Sequence, residues 1–397
     1  MEKGIEGNGK ETTGISVGAG RSHIPEDVLI EILKRLPKKS LCRFRCVSTT
    51  WLSLISSSLF ESSRGAHWRS SLMMLATIPC GSVIQLQLSS VDSNIDLLAT
   101  DRVDIAKTTF KPWLLPGCIS SSVGGLICLD YQDHAEVCNP TTKELIILPK
   151  LPRERHLHIQ RTSLCFDPIK NQHKVLRSLK DSNVDGGVVE HHVFIPGASR
   201  WRKIKDNDRH ERFGEEVCVD GVLYSRAIFY VGSTPTPVLV AFDVHAEIFD
   251  ICELPDIYSS QGHNGPKLVE YFDGGIADVY CPHHLGSRNT LDSFYLAFME
   301  GVYGHWTYRK IALPSREVLP RHGLFYLMGS LRNGELLAFI WNPSTTDISY
   351  SFFFYDAKND VFWKLAQPPI SIPRGLSRID LVYVSDYVEN PAPMKAW

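Results

Sequence analysis

The sequence lacks an excess of charge of either sign. Its 42 Lys and Arg residues nearly balance 44 Asp and Glu residues, for a formal net charge of −2 at pH 7. Without a strong overall field, the chain has no global attraction to nucleic acid or to an anionic membrane surface. No apolar run approaches the ~18 residues that a membrane helix needs. We therefore expect a soluble protein whose binding sites are local, with no nucleic-acid partner and no membrane partner.

Paired cysteine motifs are also missing. The ten cysteines are scattered singly with no CxxC spacing, and no signal peptide is recognised at the start of the sequence. This usage favours a reducing compartment, so we expect the protein in the nucleus, the cytoplasm or both. Cys42 and Cys46 lie four residues apart, but no second pair is near enough to complete a zinc site. We interpret them as small buried apolar residues.

Short catalytic motifs are absent as well. The sequence has no G-x-S-x-G elbow, no phosphate-binding G-x-x-x-x-G-K-[ST] loop and no H-E-x-x-H helix, so we expect no catalytic residues and no cofactor. His156 and His158, with Glu154 nearby, are the best candidates for a metal triad, although we favour an exposed basic loop edge. Adjacent histidines on a strand face opposite ways and chelate poorly, as at His191-His192 and His283-His284.

What the sequence does have is a dense apolar segment at residues 24–60, where 18 of 37 residues are Ile, Leu, Val, Phe, Trp or Cys. A segment below ~40 residues rarely builds a sufficient core by itself. Pro25 suits the first position of a helix and Pro37 ends it. Helical spacing gathers Val28, Leu29, Ile32, Leu33 and Leu36 into one stripe and leaves Ile30 outside it.

Two further helices are expected in this segment. Ser40 or Ser48 is a suitable N-cap, the first helix carrying Leu41 and Phe44 and the second carrying Trp51, Leu52, Leu54 and Ile55. Together the three helices have more apolar surface than they can bury on one another. The segment therefore indicates a small helical unit that is completed by a partner or by the domain that follows.

The order of residues in this segment resembles the F-box, in its plant form. The resemblance rests on Ile24-Pro25-Glu26-Asp27, Ile32-Leu33, Leu36-Pro37-Lys38-Lys39-Ser40-Leu41, Phe44-Arg45-Cys46-Val47-Ser48, Trp51 and Ile55. It implies binding to a Skp-type adaptor and, through that adaptor, to cullin and RING subunits of a ubiquitin ligase. The residues expected to contact the adaptor are Ile24, Pro25, Val28, Leu29, Ile32, Leu36, Leu41, Val47 and Trp51.

Two other interpretations of the segment stay open. One is a helical hairpin that forms a core without any partner. The other is a helix-turn-helix reader of nucleic acid, because six basic residues face three acidic ones over residues 26–45. An excess of three charges is small for binding DNA.

From Leu72 onward, short runs of β-branched and aromatic residues alternate with Gly, Pro, Asn and Asp turns, as in an all-β domain. The predicted strands include 83–88, 125–130, 144–148, 217–224, 238–242, 294–299, 336–340 and 351–355. Small-residue turns followed by a strand recur at Gly124-Gly125, Asp220-Gly221, Gly274-Gly275 and Asn333-Gly334. The spacing predicts units of roughly 50 residues, which suggest a β-propeller. Strands at 72–78 and 379–384 are predicted to pair and close the ring.

This region is similar to the F-box-associated domain found after plant F-boxes. The similar pieces include Gly124-Gly125-Leu126-Ile127-Cys128, Asn139-Pro140-Thr141-Thr142-Lys143 with Leu148-Pro149, Gly221-Val222-Leu223-Tyr224, Phe242-Asp243 with Leu254-Pro255, Tyr295 to Met299 with Trp306, and Asn333-Gly334-Glu335. A kelch propeller and a twisted β-sandwich are the alternatives.

The predicted organisation is a disordered tail (1–20), an F-box of three helices (21–62), a linker (63–70) and a propeller-like β-domain (71–390).

Together these features predict a non-catalytic substrate receptor of an SCF-type ubiquitin ligase, with loops of the β-domain holding an unknown target protein. The alternative is a propeller enzyme or a carbohydrate-binding lectin with a structural helical module. Trp201, Trp306 and Trp363 recur near the ends of the predicted units. They suit either a stacking platform for sugars or bases, or packing between blades, which we favour.

Overall fold

The computed structural model of the 397-residue chain describes residues 24–34, 36, 44, 47–55, 71–77, 84–91, 97–106, 120, 122–131, 134–183, 189–205, 210–231, 234–254, 267–271, 275–280, 293–299, 305–313, 324–330, 335–342, 349–357, 359–364, 380–387, 390, 394 and 397. The predicted tail and linker lie outside these residues. So do Ser40, Leu41 and the pair His283-His284.

In the described part of the N-terminal module the helices are α1 at Glu26–Lys34 and α2 at Thr49–Ile55. α1 begins one residue after the predicted start at Pro25, whose carbonyl accepts the Leu29 N–H at 3.0 Å. Ser48 caps α2 by accepting the Trp51 N–H at 3.1 Å. Phe44, on the predicted middle helix, has helical geometry and meets the Trp51 ring edge-to-face at 5.0 Å.

The rest of the described chain is built from strands joined in antiparallel pairs. Their bounds are β1 Ser71–Thr77, β2 Ile84–Val91, β3 Leu97–Ala106, β4 Ile127–Asp130, β5 Ala135–Asn139, β6 Glu144–Ile147, β7 Leu157–Asp167, β8 Gln172–Asp181, β9 Val189–Phe194, β10 Arg202–Lys203, β11 His210–Val219, β12 Val222–Val231, β13 Thr234–Asp243, β14 Ile248–Cys252, β15 Lys267–Tyr271, β16 Gly275–Tyr280, β17 Ser293–Met299, β18 Trp306–Ala312, β19 Leu324–Ser330, β20 Glu335–Asn342, β21 Ser349–Asp356, β22 Val361–Lys364 and β23 Asp380–Tyr387.

Within the described residues these strands form six sheets, which we call blades 1 to 6. Blade 1 has the order β23-β1-β2-β3, blade 2 contains β4–β6, and blades 3 to 6 contain β7–β10, β11–β14, β15–β18 and β19–β22. The first strands of successive blades lie side by side, with β7 next to β11, β11 next to β15, and β15 next to β19. This arrangement is the predicted β-propeller and excludes a two-sheet sandwich.

Strands from the two ends of the domain share blade 1. β1 pairs with β23 along its length, with Met74 opposite Val384 and Leu75 opposite Tyr383. β23 also lies beside β19 of blade 6. The predicted pairing of the strands at 72–78 and 379–384 is therefore confirmed, and it joins the first and last blades.

Apolar side chains fill the spaces between blades because neighbouring residues on a strand point to opposite faces. On β8, Val175 packs between blades 2 and 3 while Leu176 packs between blades 3 and 4. On β13, Leu239 joins the cluster between blades 4 and 5 while Val240 faces blade 3. The core is thus a series of layers between successive blades.

Tight turns at two of the predicted glycine pairs lie directly before a strand. Asp220 and Gly221 have φ of 48° and 82°, values that turn the chain from β11 into β12. The predicted single strand at 217–224 is therefore wrong, since a hairpin turn divides it. Gly124 and Gly125 have φ of 57° and 77° and occupy the comparable turn before β4.

Candidate functional site

The helix α1 has two apolar faces rather than the single predicted stripe. Leu29 and Leu33 are buried at 9% and 0% exposure, and they pack with Leu54 and Ile55 of α2. Ile30, which the stripe left out, also packs against this cluster. These contacts form the internal core of the module.

The other face of α1 is open to solvent. Ile24, Val28 and Ile32 are 49%, 44% and 45% exposed, at a spacing of four residues that aligns side chains on one side of a helix. Val47, just before α2, is 61% exposed, and Pro25 is exposed beside Ile24. We call Ile24, Pro25, Val28, Ile32 and Val47 the open face.

The nine residues expected to contact the adaptor thus separate into distinct environments. The five open-face residues are accessible to a partner. Leu29 is buried, while Leu36 and Trp51 are half-buried against the internal cluster. Leu41 lies outside the described residues. Burying a large aliphatic side chain contributes about 1.5–3 kcal/mol, so covering the open face would supply substantial binding energy.

The tryptophans of the β-domain serve as contacts between blades. The Trp201 indole N–H, before β10, donates to the Pro149 carbonyl of blade 2 at 2.6 Å, and its ring packs on Phe194. The Trp306 indole N–H, on β18, donates to the Glu253 carbonyl after β14 at 2.9 Å. Both acceptors lie beside a Leu-Pro unit end. The preferred packing interpretation is confirmed for these two, while the Trp363 side chain lies outside the described set.

The candidate metal triad is not assembled. His156, just before β7, lies 3.5 Å from Glu154 and 3.7 Å from Asp181, whereas His158 on β7 is exposed to solvent. Within the described part of the chain, no group of three or more His, Cys, Asp or Glu side chains has metal-binding geometry. His191 and His192 face opposite ways, as expected, since His191 is buried and His192 contacts Glu190.

Nucleophile candidates are buried and constrained. Ser178 lies 2.8 Å from His191 Nδ1, but its hydroxyl also accepts a hydrogen bond from Arg212 at 2.7 Å, and all three residues are almost inaccessible to solvent. The described cysteine thiols are unbonded to one another. Burial raises the pKa of Cys138 and Cys218 to about 12, so these thiols are protonated and poorly nucleophilic.

Buried ion pairs connect neighbouring blades, and the sequence did not predict them. Arg177 of blade 3 donates to Asp130 of blade 2 at 2.5 Å, and Arg226 of blade 4 pairs with Asp278 of blade 5. The hydrophobicity pattern gave no signal for them, because charged residues on a strand usually mark its exposed face. Their near-complete burial gives them a role in holding blades together rather than in open-surface binding.

A third buried pairing lies between blades 3 and 4. Burial alone would raise the pKa of Glu216, but Arg161 and Arg212 outweigh it and lower that pKa to about 2. The Glu216 carboxylate is 2.8 Å from each guanidinium and also accepts hydrogen bonds from Ser163 and Ser225. Glu216 is thus ionised and fully engaged within the fold.

No helix among the described residues is both long and apolar enough to cross a bilayer.

Two protein-family models match the chain. The model of the F-box domain matches residues 22–63, and that of the F-box associated beta propeller domain matches residues 81–367. The second match covers most of the chain and favours this family over the kelch alternative.

The chain is similar to several proteins of Arabidopsis thaliana that are named as F-box proteins. F-box protein At1g30790 is 30% identical over 70% of this chain and 72% of its own length. F-box protein At5g65850 is 30% identical over 65% of this chain and 64% of its own length. Another F-box protein of this plant is 32% identical, and the chain spans 66% of its length.

Solved structures are more distant. A fungal lectin from Aleuria aurantia with a six-bladed β-propeller is 11% identical over 77% of this chain and 98% of the lectin, with a TM-score of 0.40.

Proposed function

Because this chain belongs to the F-box proteins that carry an F-box associated β-propeller domain, we propose that it is a non-catalytic substrate receptor of an SCF-type ubiquitin ligase. Its F-box binds a Skp-type adaptor, which connects it to cullin and RING subunits. The propeller binds a target protein for ubiquitination and proteasomal degradation. Ubiquitin transfer is catalysed by other subunits, and this chain contributes proximity.

The open face is the observation that supports adaptor binding most directly. Among the described residues, Ile24, Val28 and Ile32 lie outside the internal cluster of the helical module, yet all three are apolar and exposed. Large exposed apolar side chains on adjacent helical turns are typical of a protein-protein interface. In this proposal Leu29 does not contact the adaptor directly; it packs in the internal cluster and holds α1, which carries the open face, in place.

Adaptor binding is tested by Val28→Asp combined with Ile32→Asp, measured by calorimetric titration with purified Skp-type adaptor. We expect binding to weaken at least ~100-fold, since losing ~3 kcal/mol or more of apolar contact corresponds to that factor. The thermal transition should stay within a few degrees of wild type because both side chains are exposed. Ile248→Asp is the matched control, since Ile248 is 56% exposed on β14 of the propeller and should leave adaptor binding unchanged.

Two results would contradict the proposal. One is wild-type protein that does not bind the adaptor at all. The other is a folded Val28→Asp, Ile32→Asp variant that binds as tightly as wild type.

We further propose that the protein acts in the nucleus, the cytoplasm or both. The described cysteines, unbonded and mostly buried, support a reducing compartment. Imaging a fluorescent fusion in plant cells, with an organelle marker for the secretory pathway, checks this proposal. Accumulation with that marker would contradict it.

A further inference from the structure

Three residues that follow β23 lie against a blade to which they do not belong. β23 completes blade 1, but Asn390 and Met394 contact blade 2, and Trp397 packs on the apolar cluster between blades 2 and 3. In the described chain none of them takes part in a strand. We call these three residues the clasp.

Asn390 is held by hydrogen bonds on three sides. Its backbone N–H donates to the Thr141 hydroxyl at 3.0 Å, and its carbonyl accepts from the Asn139 side-chain amide at 2.9 Å. Its own side-chain amide donates to the Gly124 carbonyl at 2.8 Å. The backbone N–H, the backbone carbonyl and the side chain of Asn390 therefore all form hydrogen bonds with blade 2, and this pattern favours asparagine at the position.

The apolar part of the clasp follows four and seven residues later. Met394 is only 4% exposed within the cluster between blades 2 and 3, and its N–H donates to Glu144 Oε2 at 3.0 Å. Trp397 packs on the same cluster, with its ring 6.0 Å from that of His173. The Trp397 N–H donates to the Met394 carbonyl at 3.1 Å, so the two anchors are joined by a turn.

Blade 2 fixes its own contact groups without help from the clasp. Asn139 Oδ1 accepts the Thr141 N–H at 3.0 Å, which leaves the amide nitrogen of Asn139 directed at Asn390. Glu144 Oε2 accepts the Thr142 hydroxyl at 2.7 Å. Groups that are positioned before a ligand arrives lower the ordering cost of binding.

We propose that the surface formed by Gly124, Asn139, Thr141 and Glu144 of blade 2, together with His173 of blade 3, is a binding site for linear peptides. The chain's own clasp occupies it in cis. The ligand class is a peptide with asparagine, an unbranched apolar residue such as methionine four positions later, and an aromatic residue three positions after that, joined to the methionine by a turn. This site is separate from the open face and does not depend on adaptor binding.

The clasp occupies the peptide site because it is covalently connected to β23. A short connection to β23 holds the clasp at an effective concentration near ~mM, so a separate peptide competes with it poorly. Pro391 and Pro393 restrict the unbound segment and reduce the entropy lost on docking. A separate peptide therefore gains access when the two apolar anchors of the clasp are removed.

The test uses the full chain with Met394→Ala and Trp397→Ala, and a fluorescent peptide with the sequence of residues 388–397. By anisotropy titration we expect this variant to bind the peptide with a Kd at least ~10-fold lower than wild type does. A peptide with alanine in place of its methionine and tryptophan is the control and should not bind. Adding Thr141→Val, which removes one acceptor, should weaken peptide binding roughly 3- to 10-fold.

A measurement on unaltered protein gives an independent outcome. Hydrogen exchange at the Asn390 and Met394 amides should be at least ~10-fold faster than at the paired amides of β23, because a docked peptide opens locally. The proposal is overturned if these amides exchange together with β23, or if the double-alanine variant fails to fold. It is also overturned if that variant folds but does not bind the peptide.

Discussion

Arg226 and Asp278 show what single residues contribute to this propeller. The pair joins β12 of blade 4 to β16 of blade 5, and both side chains are nearly inaccessible to solvent. Removing Asp278 takes away the carboxylate that pairs with the buried Arg226 guanidinium, and breaking a buried ion pair in this way costs about 3–5 kcal/mol. We therefore expect Asp278→Ala to lower the urea midpoint of unfolding strongly.

The control for this prediction replaces both partners. Arg226→Met with Asp278→Leu removes both charges and should recover a large part of the lost stability, since apolar pairs often substitute for buried ion pairs. Equal loss in the single and double variants would show that packing, and not charge compensation, explains the effect.

His173 predicts how stability depends on pH. Burial lowers its pKa from the ordinary 6.5 to about 4, although its Nε2–H donates to the Val123 carbonyl at 3.0 Å. Between pH ~6.5 and ~4, His173 is therefore protonated in the unfolded chain but neutral in the folded chain. Stability is full above pH ~6.5 and falls as the pH drops toward ~4. Urea midpoints measured from pH 7 to 4 should decline less in His173→Gln than in wild type, and parallel declines would contradict this assignment.

At the scale of elements, the turn between β11 and β12 positions one blade against the next. A Cβ at Gly221 would lie 2.7 Å from Pro168 Cδ of blade 3, and the glycine has a φ of 82°. Gly214 has a similar φ of 73°, but the nearest atom to its added Cβ is 3.9 Å away. Comparing alanine substitutions at Gly214 and Gly221 therefore distinguishes the cost of backbone strain from the cost of steric contact between blades.

We expect Gly214→Ala to cost about 1–2 kcal/mol through its left-handed backbone alone. Gly221→Ala should cost roughly 1–3 kcal/mol more, because the added methyl also collides with Pro168. Denaturant unfolding of the two variants measures the difference. Equal losses would mean that blade 3 adjusts freely around this turn.

At the scale of the molecule, the sequence predicted features that depend on local chemistry. Glycines at Gly221 and Gly124 marked the turns because few other residues adopt a positive φ. It did not predict which part of the α1 stripe faces its own module, since Val28 and Leu29 differ in environment but not in hydrophobicity. Nor did it predict the contact between Asn139 and Asn390, which are 251 residues apart.

The pairing of β1 with β23 predicts that the whole propeller unfolds as one unit. Met74 lies in the ladder between Gln87 of β2 and Val384 of β23. Met74→Pro removes a backbone donor and fixes φ in an interior strand, at a cost of about 3 kcal/mol or more. Because β23 also lies beside β19, we expect faster hydrogen exchange in distant strands such as β12, measured by mass spectrometry.

Thr307→Pro is the control, since Thr307 is exposed on β18 at the outer edge of blade 5, where proline is tolerated better. Faster exchange confined to blade 1 in Met74→Pro would show that the blades open independently.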